Sequence, residues 1–121
     1  MQAANALIVL VALEHLWFLV LEMFLWTKPL GLRTFRQSAE KAAASKALAA
    51  NQGLYNGFLA AGLIWSFLAS PPEVATSLRL FFLGCVVVAG VFGAFTVSRR
   101  ILLVQAAPAA VALLLVLSSR A

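Results

Sequence analysis

Aspartate is absent from this 121-residue chain, and its four carboxylates are all glutamates: Glu14, Glu22, Glu40 and Glu73. Charged residues make up only 11% of the composition, against roughly 25% in a soluble domain that must cover itself with polar surface. That shortage excludes an ordinary water-facing exterior. A single cysteine, Cys85, excludes an intrachain disulfide and any cysteine pair with metal-ligand spacing. No metal cluster, nucleophile–base motif or nucleotide fingerprint is present, so no cofactor and no metal site is identified. The chain also lacks a basic n-region ahead of its first apolar run, which argues against a cleaved signal peptide. Internal repeats and low-complexity linkers are likewise missing.

What is there is apolar: 64% hydrophobic residues and a mean hydropathy of +1.00. A spanning helix needs about 20 mostly apolar residues, and the sequence offers four such runs. They cover 3–26, 51–70, 76–97 and 101–117. Trp26-Thr27-Lys28-Pro29 closes the first, and Pro71-Pro72 ends the second. Pro108 lies inside the fourth and is expected to bend it. The fold class predicted is all-α: one four-span membrane bundle embedded in a lipid bilayer.

The net charge of +5 raises the question of nucleic acid, but no nucleic-acid motif accompanies it. Its distribution fits membrane orientation instead. With the N-terminus outside, Lys28, Arg33, Arg36, Lys41, Lys46, Arg99 and Arg100 fall on inner loops, leaving Arg79 and Arg120 outside. This seven-to-two split predicts both termini on the non-cytoplasmic side. In the first inner loop, Leu30, Leu32 and Phe35 alternate with Arg33 and Arg36 as in a segment lying on headgroups. From Ser38 the residues are helix formers without a breaker. The second helix is therefore expected to begin near Ser38 and project into the cytoplasm, with a length of roughly 48 Å.

Ionisable groups inside spans usually face a bundle interior or a watery cavity. Helix one carries Glu14, His15 and Glu22, the last two sharing a face at seven-residue spacing. Gln52, Tyr55 and Asn56 form a stripe on helix two, Thr96, Arg99 and Arg100 end helix three, and Gln105 lies on helix four. The orientation puts Glu22 and all the residues from Gln52 to Gln105 just named in the cytoplasmic half. A pocket open to that side is expected, with Gln52, Tyr55, Asn56, Thr96, Arg99, Arg100 and Gln105 as ligand-binding residues. Each also has a plainer reading. The arginines can be orientation signals, the amides interhelical glue, Tyr55 an interface anchor and His15 a satisfied core residue. Glu22 can form an ion pair with Arg99 or Lys28. Gly53 and Gly57, extended by Ala61, make a small face on helix two, and Gly90, Gly93 and Ala94 make another on helix three.

The runs His15-Leu-Trp-Phe, Leu21-Glu-Met-Phe-Leu-Trp-Thr-Lys-Pro29, Ala50-Asn-Gln-Gly-Leu-Tyr-Asn-Gly-Phe58 and Thr96-Val-Ser-Arg-Arg-Ile with Gln105 resemble a bacterial membrane family catalogued as domain of unknown function 1304. The likeness covers nearly the whole chain and implies the four-span architecture, in a bacterial inner membrane, without an activity. A second likeness is to the membrane-associated eicosanoid and glutathione metabolism proteins, four-helix trimers with a ligand site in the inner half. Their second helix carries a pattern that Ala49, Leu54 and Asn56 match and that Gln52 approximates. Leu48 stands where that family has arginine, and Tyr55 where it has glutamate.

Three functions follow as expectations. The first is a membrane-embedded binding protein or enzyme for an amphipathic small molecule or lipid with a polar or anionic head. If it is catalytic, His15 and Glu22 are the candidate proton-transfer groups and Tyr55 donates to a developing anion. The second is a small proton-coupled exporter using Glu14 or Glu22. The third is a structural subunit of a membrane complex. Four short spans bury little surface by themselves, so a homo-oligomer is expected.

Overall fold

The computed structural model describes residues 1–120. Every regular element among them is helical: α1 (Gln2–Met23), α2 (Pro29–Phe35), α3 (Ala39–Ala44), α4 (Lys46–Leu68), α5 (Pro72–Thr96), the short α6 (Arg99–Ile101), and α7 (Ala107–Ser118). A π-helical turn, Leu102–Ala106, joins the last two. Three helices are long and apolar enough to cross a membrane: Gln2–Met23, Pro72–Thr96 and Arg99–Ser118. The expected second span is not in this set. Its helix, α4, has 23 residues, but its first half carries Lys46, Asn51, Gln52 and Asn56, which lower its hydropathy.

The chain divides into two compact units, Glu14–Phe58 and a second made of Met1–Leu13 with the chain from Leu59 onward. In the second, Ala4, Ile8, Val11 and Ala12 of α1 share a core with Leu63 of α4, Leu83 and Val86 of α5, and Ala109, Ala112 and Val116 of α7. These positions follow the i, i+3, i+4, i+7 spacing of a helix stripe. The opposite face of α1 is as apolar as the buried one, with Val9, Leu10 and Leu13 exposed. A helix hydrophobic all round, but buried on one stripe only, fits a lipid surround. Gly90 brings α5 against the π-helical turn so closely that a Cβ there would lie 2.6 Å from the Ala106 Cβ and 2.8 Å from its backbone nitrogen. The small face read from Gly90 and Gly93 thus meets Ala106 and Ile101.

Ahead of Pro108, where a bend is expected, the helix widens into that π turn, in which the Ala107 N–H donates to the Leu102 carbonyl. Proline has no N–H for the carbonyl four residues back, and a wider turn is one way a helix absorbs the lost register. Arg79, read as an outer-side cation, donates from Nε to Ser66 Oγ at 3.4 Å, and its guanidinium lies 4.8 Å from the Phe67 ring centroid.

In the unit Glu14–Phe58, the helix expected to run unbroken from Ser38 is divided. Ser38 caps α3, its Oγ accepting from the Lys41 N–H at 3.1 Å, but the helix stops at Ser45 and resumes at Lys46. Ser45 supplies the cause. Its hydroxyl donates to the Lys41 carbonyl at 2.8 Å and accepts from Trp26 Nε1 at 3.1 Å, a back-bond of the type that bends helices. The single 48 Å rod is therefore corrected to a short helix followed by α4. The glycine face of α4 is real here: a Cβ on Gly53 would lie 2.7 Å from Met23 Cγ and 3.1 Å from Glu22 Cβ, and one on Gly57 2.7 Å from Leu19 Cδ1. Ala61 does not extend this face, being exposed, whereas Ala60 is buried.

Candidate functional site

Close approach of α1 and α4 at Gly53 and Gly57 sets the geometry of the polar residues beside them. Glu22 and Asn56, 34 positions apart, meet through a hydrogen bond from Asn56 Nδ2 to Glu22 Oε1 at 2.5 Å. Both are half-buried. The donor–acceptor sense is fixed by chemistry: a carboxylate accepts, so the amide presents its NH2. Glu22 thus takes an amide partner, where the plainer reading offers an ion pair with Arg99 or Lys28.

The remaining polar groups of α4 lie near this pair in sequence but differ in exposure. Gln52 is exposed, and Tyr55 is 58% exposed with its ring edge-on to Phe58 at 5.7 Å. Leu54 and Phe58 are exposed as well, so the tyrosine stands on a largely apolar outer surface. His15 is fully buried, its ring 5.3 Å from that of Phe18. On α1 it stands seven residues from Glu22, about 10 Å along the axis. Of the candidate catalytic groups, Glu22 is held by Asn56 and Tyr55 stands edge-on to Phe58. Glu14, one residue before His15, is half-buried, and its Oε1 is a buried atom without a hydrogen-bond partner.

The other predicted ligand residues belong to the second unit. Thr96 ends α5, exposed, with its hydroxyl donated back to the Phe92 carbonyl at 2.8 Å. Arg99 and Arg100 open α6 and are both exposed. Ser98 caps that helix, its Oγ accepting from the Arg100 N–H at 3.2 Å. Gln105 is half-buried within the π turn. An open groove of about 390 Å³ runs along α5, lined by Glu73, Val74, Ser77, Leu78 and Phe81. It sits at the opposite end of α5 from Thr96 and holds none of the predicted residues. Among the described residues no group of three or more histidine, cysteine or acidic side chains could hold a metal ion.

Two structural partners escaped the sequence reading, Ser45 for Trp26 and Ser66 for Arg79. A lone serine in an alanine-rich or apolar helix was the available signal for each.

An uncharacterised protein named YpaA from Lactococcus lactis subsp. lactis (strain IL1403) is 33% identical over 107 residues, covering 87% of this chain and 88% of that protein. No solved structure matches the chain. Residues 9–117 match the family described as Protein of unknown function (DUF1304), and the chain belongs to that family.

Proposed function

We propose that the protein is a four-span bundle of the bacterial inner membrane, with both termini outside, that binds an amphipathic small molecule through the polar groups of Glu22, Gln52, Tyr55 and Asn56. The observation that carries this reading is the Glu22–Asn56 hydrogen bond between α1 and α4. Paired polar side chains inside spans mark substrate pathways and binding sites, and here the exposed Gln52 and Tyr55 lie within a turn of Asn56. The chemistry refines the ligand. A carboxylate whose partner is an amide offers acceptors, so the head it fits is polar and hydrogen-bond donating, and an anionic head would be repelled by Glu22. The apolar part of the ligand would lie along Leu54 and Phe58, both exposed.

Mass spectrometry of small molecules that co-purify with the protein tests the reading. Wild type is expected to retain an amphipathic compound that Glu22→Gln and Asn56→Leu lose at least about tenfold, since a hydrogen bond to a charged group contributes roughly 1.5–3 kcal/mol. Equal retention by all three proteins would sink the proposal.

Glu14 favours a second reading, proton-coupled export. A carboxyl in mid-helix with a buried, unpartnered oxygen suits reversible protonation during transport. Solute-driven proton flux into liposomes, abolished by Glu14→Gln, is its expected signature, and no flux under any solute gradient would dismiss it.

A further inference from the structure

Lys28, Arg33, Arg36, Lys41 and Lys46 stand within 19 residues of one another, opposed by the single carboxylate of Glu40. All five are exposed, and none is ion-paired among the described residues. Orienting a membrane protein needs only the number of such cations near a span, and a disordered loop would serve. This loop is built instead. The Trp26 Nε1 bond to Ser45 Oγ, at 3.1 Å, ties its end to its beginning across 19 positions. Phe35 lies against Trp26 with ring centroids 4.7 Å apart. Gly31 packs on the backbone carbonyls of Leu25 and Trp26 with no room for a side chain. Arg36 ends α2 in the left-handed region, φ 52°, its N–H bonding the carbonyls of Arg33 and Leu32.

The loop is thus held against the end of α1, one of the helices long and apolar enough to cross the membrane. Leu30 and Phe35, 39% and 38% exposed, stand among its cations. Basic clusters directly beside a spanning helix attract anionic lipid, and guanidinium groups match phosphate oxygens in paired hydrogen bonds. We propose that the closed loop from Trp26 to Lys46 is a docking surface for anionic phospholipid headgroups of the adjoining leaflet. The loop carries five positive charges and one negative, and phosphate supplies the complementary sign. This inference is independent of the small-molecule site and stands or falls separately.

Trp26 itself provides the readout. A protein carrying Trp17→Phe and Trp65→Phe keeps Trp26 as its single indole. It would be reconstituted in phosphatidylcholine bilayers containing a minor fraction of phosphatidylglycerol, with bromine quencher on the acyl chains of one lipid or the other. Brominated phosphatidylglycerol is expected to quench Trp26 more strongly per mole. Each cation removed should reduce the relative association constant by up to about fivefold. Arg33→Gln, Arg36→Asn and Lys41→Gln together should bring it near unity, asparagine being chosen because it tolerates the left-handed backbone. Glu40→Gln should raise it, a change of opposite sign that misfolding would not produce. Equal quenching by the two lipids, or a preference that survives the triple variant, would overturn the proposal. Loss of the preference on adding inorganic phosphate, but not chloride at matched ionic strength, would reassign the surface to a soluble anion and equally overturn it.

Discussion

Single side chains tie the unit Glu14–Phe58 together in two places. The Trp26 indole bonds Ser45, and Asn56 bonds Glu22. The Trp26–Ser45 bond is partly buried, so each partner's loss should destabilise the fold by about 1 kcal/mol. Trp26→Phe and Ser45→Ala are expected to show this in denaturant unfolding in micelles followed by circular dichroism. The double variant should lose no more than the worse single one, because both remove the same bond. Fully additive losses would mean that the two residues act independently. Ser45→Ala should also raise the helical signal, since it removes the hydroxyl that turns back to Lys41. Neither partner pair was legible from sequence, because bonds spanning 19 and 34 positions exist only once the helices have packed. What could be read was local: the seven-residue spacing of His15 and Glu22, and the glycine spacing of Gly53 and Gly57.

Helices were legible where apolar length alone determines them. The runs read as 3–26, 76–97 and 101–117 became Gln2–Met23, Pro72–Thr96 and Arg99–Ser118, each within a few residues at either end. The reading failed where a hydroxyl competes with the backbone, as at Ser45. The run read as 51–70 is helical as far as Leu68, within α4, but polar residues dilute its first half and it falls outside the three helices apolar enough to span. Along α5 the glycines separate cleanly by environment. Gly90 faces the Ala106 backbone at distances no Cβ can occupy, whereas a Cβ on Gly84 would meet nothing within 4 Å. Gly90→Ala should therefore destabilise the protein by about 1–3 kcal/mol through overpacking against a backbone that cannot move aside. Gly84→Ala should be neutral or stabilising by up to about 1 kcal/mol, through helix propensity alone. Thermal unfolding of the two variants side by side in detergent checks the contrast. Similar behaviour would mean that α5 does not pack through Gly90.

At the scale of the whole molecule, α4 decides how often the chain crosses the bilayer. Its 23 residues extend about 35 Å, enough for a hydrocarbon core of about 30 Å. Its amides sit near one end: Asn51 and Gln52 are exposed within the first two turns, and Asn56 is satisfied by Glu22. From Gly57 to Leu68 the only polar side chain besides the Trp65 indole is Ser66, which is buried and donates to the Leu63 carbonyl. A helix with its unpartnered amides gathered at one end can cross with those groups at the headgroups, where water and phosphate satisfy them. If it crosses, Glu40 and Glu73 must lie on opposite sides, with Glu40 inside in the orientation proposed above. Replacing Cys85 with serine and placing single cysteines at Gln2, Glu40 and Glu73 makes this measurable. A membrane-impermeant maleimide should label Gln2→Cys and Glu73→Cys in spheroplasts, and Glu40→Cys only after the membrane is opened. Labelling of Glu40→Cys and Glu73→Cys from the same side would leave α4 on one side of the membrane. The chain would then cross three times, its termini would fall on opposite faces, and the amide stripe of α4 would lie in water rather than lipid.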